Sequence, residues 1–383
     1  MVARRLPFWP LLRVLHRALR IGLWAEMKPL LRDRLFPVKI SATKEEHSSA
    51  AALFHMATGY WVSQAIYVAA KLGIADLLKD GPQSYVILAA RTGADAPSLF
   101  RLMRALASVG VFSHAGEDCF ALSRLAESLL TDAPASLRAM VITIGEIHYQ
   151  ACGNLLHSVQ TGAPAFNNLF GTNLFDYLRQ NAAAGEAFNQ GMTDLSSLLA
   201  YALLIAYDFS GVSSIVDVGG VEGELLRKIL ELNPRMVGAV LDMPSTIEKV
   251  HQELNGKARI GPCSYIAGDF FDSVPEGADA YLLSGVIHDW DDDRAITILR
   301  NCRRAMADGG KVLVVDMVVP KNGAKSFSKL LDLNMLVMTG GRERTEAEFR
   351  TLLDASGYEL TRIIPTMAPQ SIIEAVPKST RYA

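Results

Sequence analysis

An α/β fold, with a mostly parallel sheet in the C-terminal half and a helical N-terminal half, is predicted by two observations. From Ser213 onward, short β-rich runs alternate with amphipathic segments, as helices covering both faces of a parallel sheet require. Before that point helical apolar spacing prevails, broken by a single hairpin-like stretch. Length and composition agree: 383 residues, half of them apolar, with a net charge of −2, have room for two or three domains and a large core. Four scattered cysteines without C-x-x-C spacing indicate neither a zinc site nor a disulfide framework, so a reducing, cytoplasmic setting is expected. No apolar run reaches the roughly 18 to 20 residues that span a bilayer, and the N-terminus lacks a secretory signal pattern.

Residues 1–45 form a basic amphipathic extension. The first forty residues carry nine Lys and Arg against Glu26 and Asp33 alone. Arg13, Arg17 and Arg20 share one helical face with Leu12, Leu15 and Leu19 opposite, and Trp9 and Trp24 add amphipathic rings. An arm packed on another subunit and a peripheral membrane contact both fit this pattern.

Residues 46–135 read as a helical domain with a winged-helix shape, since helices lead into VFSHAGEDCFALS, where Gly116 can form a hairpin turn. A DNA reader would carry a basic recognition helix, whereas Pro97 to Val109 offers only Arg101 and Arg104. A dimerisation surface is therefore expected here, and no nucleic-acid partner. Residues 136–210 read as a helical linker and one wall of a substrate pocket, around GAPAFNNLFGTNLFDYLRQN. Phe166, Phe170, Phe175, Tyr177 and Met192 read first as core, because aromatics at helical spacing usually pack inward. If the stretch is a pocket wall, Met192 faces the acceptor.

Residues 211–377 hold the runs IVDV, VGAVLD, SYIAGD, AYLLSG, KVLVVDMVV, YELTRII and SIIEAV, each expected to be a strand, with a ligand crevice beyond the strands' carboxyl ends. In SSIVDVGGVEGELL the glycines at 219, 220 and 223 let the backbone bend and approach a ligand, with helix N–H groups behind them. A dinucleotide fingerprint starting at Gly219 would require glycine where Val221 and Glu224 stand, which weakens a hydride-transfer reading. Asp242 and Asp269 end the next two runs, and Asp242 is placed to accept from two ribose hydroxyls. Acidic strand ends suit an adenosine whose reactive end is a cation, a description that S-adenosylmethionine fits. No metal is called for.

The run AYLLSGVIHDWDDDR puts His288 directly after a strand and before a helix, where a histidine can take a proton from a phenol or activated hydroxyl near neutral pH. The plain structural alternative is a helix-capping or hydrogen-bonded structural histidine, because Asp291 to Asp293 also resemble an acidic helix start. Asp316, ending the fifth strand, and Glu343, in GGRERTEAEF, can orient such a base. For Glu343 the alternative is a surface pair with Arg342 or Arg344.

In order, VDVGGVEG, LDMP, GDFF, IHDWDD and GGRERTEAEF resemble the caffeate and hydroxyindole type of S-adenosylmethionine-dependent O-methyltransferases, over roughly residues 47 to 377. The resemblance implies a Rossmann-like methyltransferase domain behind a winged-helix dimerisation domain, a homodimer, and methyl transfer to a hydroxyl of a small aromatic or secondary-metabolite acceptor. It implies His288 as general base flanked by Asp316 and Glu343. It further implies cofactor contacts at Gly219, Asp242, Asp269 and Phe270, with Gly220, Gly223, Met243 and Ser284 beside them. Trp290, Met335 and Met338 could clamp an acceptor ring, or simply fill the core. Two departures matter: Val221 replaces a glycine of the family turn, and Ser284 stands where many relatives carry Lys or Arg. They keep open a non-methylating member of the scaffold, a hydroxylase or pericyclic catalyst, and a noncatalytic regulatory dimer.

Overall fold

The computed structural model describes residues 49–133, 136–253, 259–260, 262–321 and 323–378. The basic extension, with the subunit or membrane contact expected of it, lies outside the described residues.

In the N-terminal domain, helix Ala96–Ser108 begins at Asp95, whose carboxylate accepts the Ser98 N–H at 3.0 Å, with Pro97 in the first turn. Leu99, Met103 and Leu106 recur on one face and are buried against Ile74, Leu88, Phe112 and Phe120. The expected wing is present: Phe112–His114 pairs antiparallel with Cys119–Leu122, and Gly116 takes a φ of 123° in the turn. The first helices leave Leu53, Phe54, Met56 and Trp61 between 58% and 72% exposed, an apolar face that one chain does not cover.

The middle segment is helical as expected, with one irregularity: a π turn at Ile144–His148 joins helix Arg138–Thr143 to helix Tyr149–Gly153. Helix Ala182–Ala206 packs on the first of these and on helix Glu224–Leu232. At the closest approach, a side chain on Gly191 would press on the Met140 backbone.

All seven predicted runs contribute a strand to one eight-stranded sheet: β1 (Ser214–Val218), β2 (Val237–Asp242), an added two-residue edge strand β3 (Arg259–Ile260), β4 (Cys263–Ala267), β5 (Ala280–Ser284), β6 (Lys311–Asp316), β7 (Tyr358–Pro365) and β8 (Ser371–Pro377). Val318–Val319, at the end of the fifth run, pairs separately with Arg344–Thr345. Their spatial order is β7-β8-β6-β5-β1-β2-β4-β3. From β1 the chain builds outward through β2 to β4, then returns to place β5 on the other side of β1. That reversal opens the crevice between the carboxyl ends of β1 and β5. The last pair departs from parallel pairing because Thr366 to Gln370 is too short for a crossover, so β8 turns back antiparallel between β7 and β6. Successive residues feed opposite layers: Leu282 packs with Leu226, Ile229 and Val315, while Leu283 packs with Ile298, Leu299 and Val314. Among the described residues no helix is long and apolar enough to cross a membrane.

Candidate active site

The glycine turn follows β1. Gly219 takes a φ of 74° and donates its N–H to Leu241 O at 2.8 Å, tying the turn to β2. A side chain there would meet Val286 Cγ2 at 2.9 Å, and one on Gly223 would meet Val240 Cγ2 at 2.7 Å, so both glycines are demanded by close packing. Gly223 also opens helix Glu224–Leu232. Val221 is the only described non-glycine residue with positive φ, at 52°. A branched side chain resists that backbone, and the turn holds it through Val221 N–H, which donates to Asp242 Oδ2 at 2.8 Å. The other Asp242 oxygen accepts from Met243 N–H at 2.7 Å.

Asp217 is the residue the sequence reading passed over. It sits in the apolar β1 run, 1% exposed, and neither carboxylate oxygen has a hydrogen-bond partner within the described structure. It lies directly under the turn, where a side chain on Gly220 would strike it at 2.6 Å. Burial, reinforced by Asp242, pushes its carboxyl up to about 7. An acidic side chain in a buried strand was the available signal. Two carboxylates beneath a glycine turn oppose a pyrophosphate and favour a cationic ligand that can also present hydroxyls. The residues present therefore fit S-adenosylmethionine.

On the neighbouring strand end, Asp269 Oδ1 accepts from Phe271 N–H at 2.8 Å, and Phe270 lies 3.7 Å from the position of a Gly219 side chain. Ser284 closes β5 opposite Val315 of β6, half-buried at the crevice. The cofactor residues expected from sequence thus gather at the ends of β1, β2, β4 and β5.

Across the crevice, His288 occupies a 3-10 turn, Ile287–Asp289, after β5. The capping alternative is overturned, since Asp291 caps helix Asp292–Ala305 by accepting the Arg294 N–H at 2.9 Å. His288 Nδ1 lies 2.7 Å from Glu343 Oε1 and 3.9 Å from Asp316 Oδ1. With Nδ1–H donated to Glu343, Nε2 is left to react, and a side chain on Gly285 would come within 3.8 Å of it. Burial alone would lower the imidazole's pKa, but Asp316, the hydrogen bond to Glu343 and nearby Asp289 outweigh it and push it up to about 10. Asp316 is itself raised to about 7 by burial, opposed by His288. The centre is an imidazole in a nest of buried carboxylates, able to receive a proton and stabilise the resulting charge.

The surface-pair alternative for Glu343 also falls. Arg342 turns to Glu348 and Asp292, while Glu343 is 4% exposed and its backbone N–H donates to Asp332 Oδ1 at 2.9 Å. Arg344, looking like a surface charge in sequence, is 1% exposed. Its guanidinium donates to Ile287 O at 3.1 Å and Trp290 O at 2.9 Å and pairs with Asp292 at 2.8 Å, so it grips the His288 turn from both sides. Gly341 is needed for the same docking, because a Cβ would collide with the His288 and Asp289 backbone.

The expected acceptor residues divide. Trp290 packs with Phe271 at 4.8 Å, Phe175 at 5.4 Å and Phe270 at 6.2 Å, bridging the cofactor side to the pocket wall. Phe175 thus leaves the helical core, whereas Phe166, Phe170 and Tyr177 stay in it. Met335 and Met338 are buried on helix Ser328–Met338, Met338 against Ile147, Ala151 and Phe166. Met192 is half-buried on helix Ala182–Ala206.

Residues 54–132 match the family model of the O-methyltransferase dimerisation domain, and residues 153–359 that of the O-methyltransferase domain. The chain is 45% identical to a phenazine O-methyltransferase of Lysobacter antibioticus over 85% of this chain and 95% of that protein. It is 34% identical to a phenazine-1-carboxylate N-methyltransferase of Pseudomonas aeruginosa over 82% of this chain and 92% of that one. Among solved structures, human N-acetylserotonin methyltransferase with bound S-adenosylmethionine superposes with a TM-score of 0.82 at 27% identity, covering 88% of this chain and 99% of the other.

Proposed function

Because the chain belongs to the S-adenosylmethionine-dependent O-methyltransferases that carry an O-methyltransferase dimerisation domain, we propose that it methylates a hydroxyl on a planar fused-ring acceptor, with His288 as general base. The protein is an O-methyltransferase and S-adenosylmethionine is its cofactor. The observation that carries the residue assignment is the His288–Glu343 pair at the end of β5, with Nε2 beside Gly285.

When bound, the cofactor supplies a methyl on a sulfonium. The chain's residues do the rest. Gly219, Gly220 and Gly223 would leave backbone room for the cofactor, Asp242 would hold its ribose hydroxyls, and Met243, Asp269, Phe270 and Ser284 would border its adenosine. Asp217 offers charge to the cationic end. His288 Nε2 removes the acceptor hydroxyl proton while Glu343 and Asp316 stabilise the imidazolium. Trp290, Met335, Met338 and Met192 confine the ring, and exclusion of water by this apolar wall aligns the oxygen with the methyl. The fused-ring class is suggested by the phenazine O-methyltransferase to which the chain is similar.

The same reading keeps the division at residues 46–135, 136–210 and 211–377. It assigns the exposed Leu53, Phe54, Met56 and Trp61 to a homodimer contact. Cys119, Cys152, Cys263 and Cys302 form no disulfide among the described residues, and the reading keeps a reducing, cytoplasmic setting. On helix Ala96–Ser108 the Arg104 guanidinium lies over the Phe100 ring at 5.7 Å, which supports packing rather than a nucleic-acid contact.

The test is incubation of the purified protein with S-adenosylmethionine and 1-hydroxyphenazine, with the product read by mass and NMR. One methyl on oxygen is expected. A methyl on nitrogen, or an altered ring with no methyl gained, would overturn the reading. Asp242→Ala is expected to weaken cofactor binding about 10- to 100-fold by calorimetry, since both the ribose and the Val221 N–H lose an ionised partner. Unchanged affinity would remove Asp242 from the cradle.

A further inference from the structure

Helix Ser328–Met338 carries two charged side chains, Lys329 and Asp332. Lys329 Nζ donates to Ala324 O at 2.9 Å, back along its own chain, whereas Asp332 is half-buried and its Oδ1 accepts the backbone N–H of Glu343 at 2.9 Å. The chain returns to Asp332 through Gly340, which takes a φ of 79° and donates its N–H to Met335 O at 2.9 Å. Two successive amides are then fixed: Arg342 N–H donates to His288 O at 2.8 Å, and Glu343 N–H to Asp332. The carboxylate of Glu343 has little else to hold it. Its Oε1 meets His288 Nδ1, and its Oε2 has no hydrogen-bond partner among the described residues. The place of that carboxylate beside the imidazole therefore depends on the Glu343 backbone, and the backbone on Asp332. The helix has other anchors: Val337 and Met338 pack with Ile147, Ala151 and Phe166, and Asn334 Nδ2 lies 3.1 Å from His148 Nδ1.

We propose that Asp332 is a positioning residue for the proton transfer, holding the Glu343 backbone so that its carboxylate stays against His288 Nδ1 and Nε2 stays free for the acceptor hydroxyl. The inference rests on the reading of His288 as base and adds a residue that acts on it only through Glu343. The charged groups acting on the imidazole are Asp316 from β6, Glu343 and, on its own turn, Asp289, while Arg344 acts on Asp316. Asp332 governs Glu343 alone among them. Loosening Glu343 removes a bond that favours the imidazolium, so the titration of His288 should move down from about 10.

The experiment compares Asp332→Ala, which loses the accepting oxygen at a position where alanine suits a helix, with Asp332→Asn, which keeps it. With 1-hydroxyphenazine and S-adenosylmethionine, Asp332→Ala should lower kcat at its alkaline plateau about 10-fold, with KM for the phenazine and calorimetric affinity for the cofactor within about threefold. Its climb in rate with pH should finish about one unit below that of the wild type. Asp332→Asn should restore both the plateau and the position of the climb. A pH profile that does not move in Asp332→Ala, an asparagine variant no better than the alanine one, or an equal loss of cofactor affinity overturns the role. Absence of turnover by the wild type overturns the fused-ring reading instead. The 15N NMR titration of His288, which needs no acceptor, then decides: a lower midpoint in Asp332→Ala that Asp332→Asn restores supports the role, and one midpoint for all three proteins overturns it.

Discussion

His288→Ala is expected to lower kcat about 100-fold or more while leaving the affinity for S-adenosylmethionine within about threefold. The split follows from geometry. The imidazole is held by Glu343 and Asp316 on the far side of the crevice, whereas the cofactor cradle is built mainly from β1, β2 and β4. The pH profile supplies a second readout. His288 must be neutral to accept a proton, and its carboxylate partners raise its pKa to about 10. The wild-type rate should therefore climb with pH from neutrality toward that value, and the climb should vanish in the variant. Equal rates for variant and wild type would end the assignment of His288 as base. A parallel loss of cofactor affinity would show that the turn had collapsed.

Asp217→Asn is expected to move two quantities in opposite directions: cofactor affinity down by about 10- to 100-fold, and stability of the cofactor-free protein up at neutral pH. Its carboxyl is raised from 3.8 to about 7, so the folded protein holds a proton that the unfolded chain has released. The stability linked to that proton is fully present below about pH 4 and is lost as pH rises through 7. Above that, the wild type carries a buried, unpartnered charge, and asparagine removes it. Urea unfolding should show variant and wild type converging near pH 4, diverging progressively up to about pH 7 and keeping a constant gap above it. A constant difference across that range would mean that Asp217 is not the titrating group. Unchanged cofactor binding would free it from the cradle.

The strands were legible because each is a short apolar run bounded by turn residues, and the glycine cluster after IVDV marks the crevice without help from packing. Spatial order was not legible. Nothing local in SIIEAV says that it inserts antiparallel between the fifth and sixth runs; the short link from Thr366 to Gln370 imposes it. His288, Asp316 and Glu343 could be picked out by residue type and strand end, and the structure brings them together. Arg344 could not. A charged residue between Glu343 and Thr345 reads as solvated, and only the backbone carbonyls of Ile287 and Trp290 converging on it explain its burial. Asp217 was hidden for the opposite reason, since a lone polar residue in an apolar strand is easily taken for a tolerated exception. Trp290 was legible as a pocket aromatic, but its stack with Phe175 depends on a helix more than a hundred positions earlier in the chain.

The clamp on His288 has a consequence for how the enzyme comes into being. The cradle is assembled from β1, β2 and β4, adjacent in space and nearly consecutive in sequence, so it can form as soon as that stretch leaves the ribosome. The histidine waits longer. Its partner Glu343 is 55 residues downstream, and the guanidinium that grips its turn comes one residue after that. A nascent chain thus acquires the place for its methyl donor before it acquires a held base, and a prematurely terminated product would keep the first without the second.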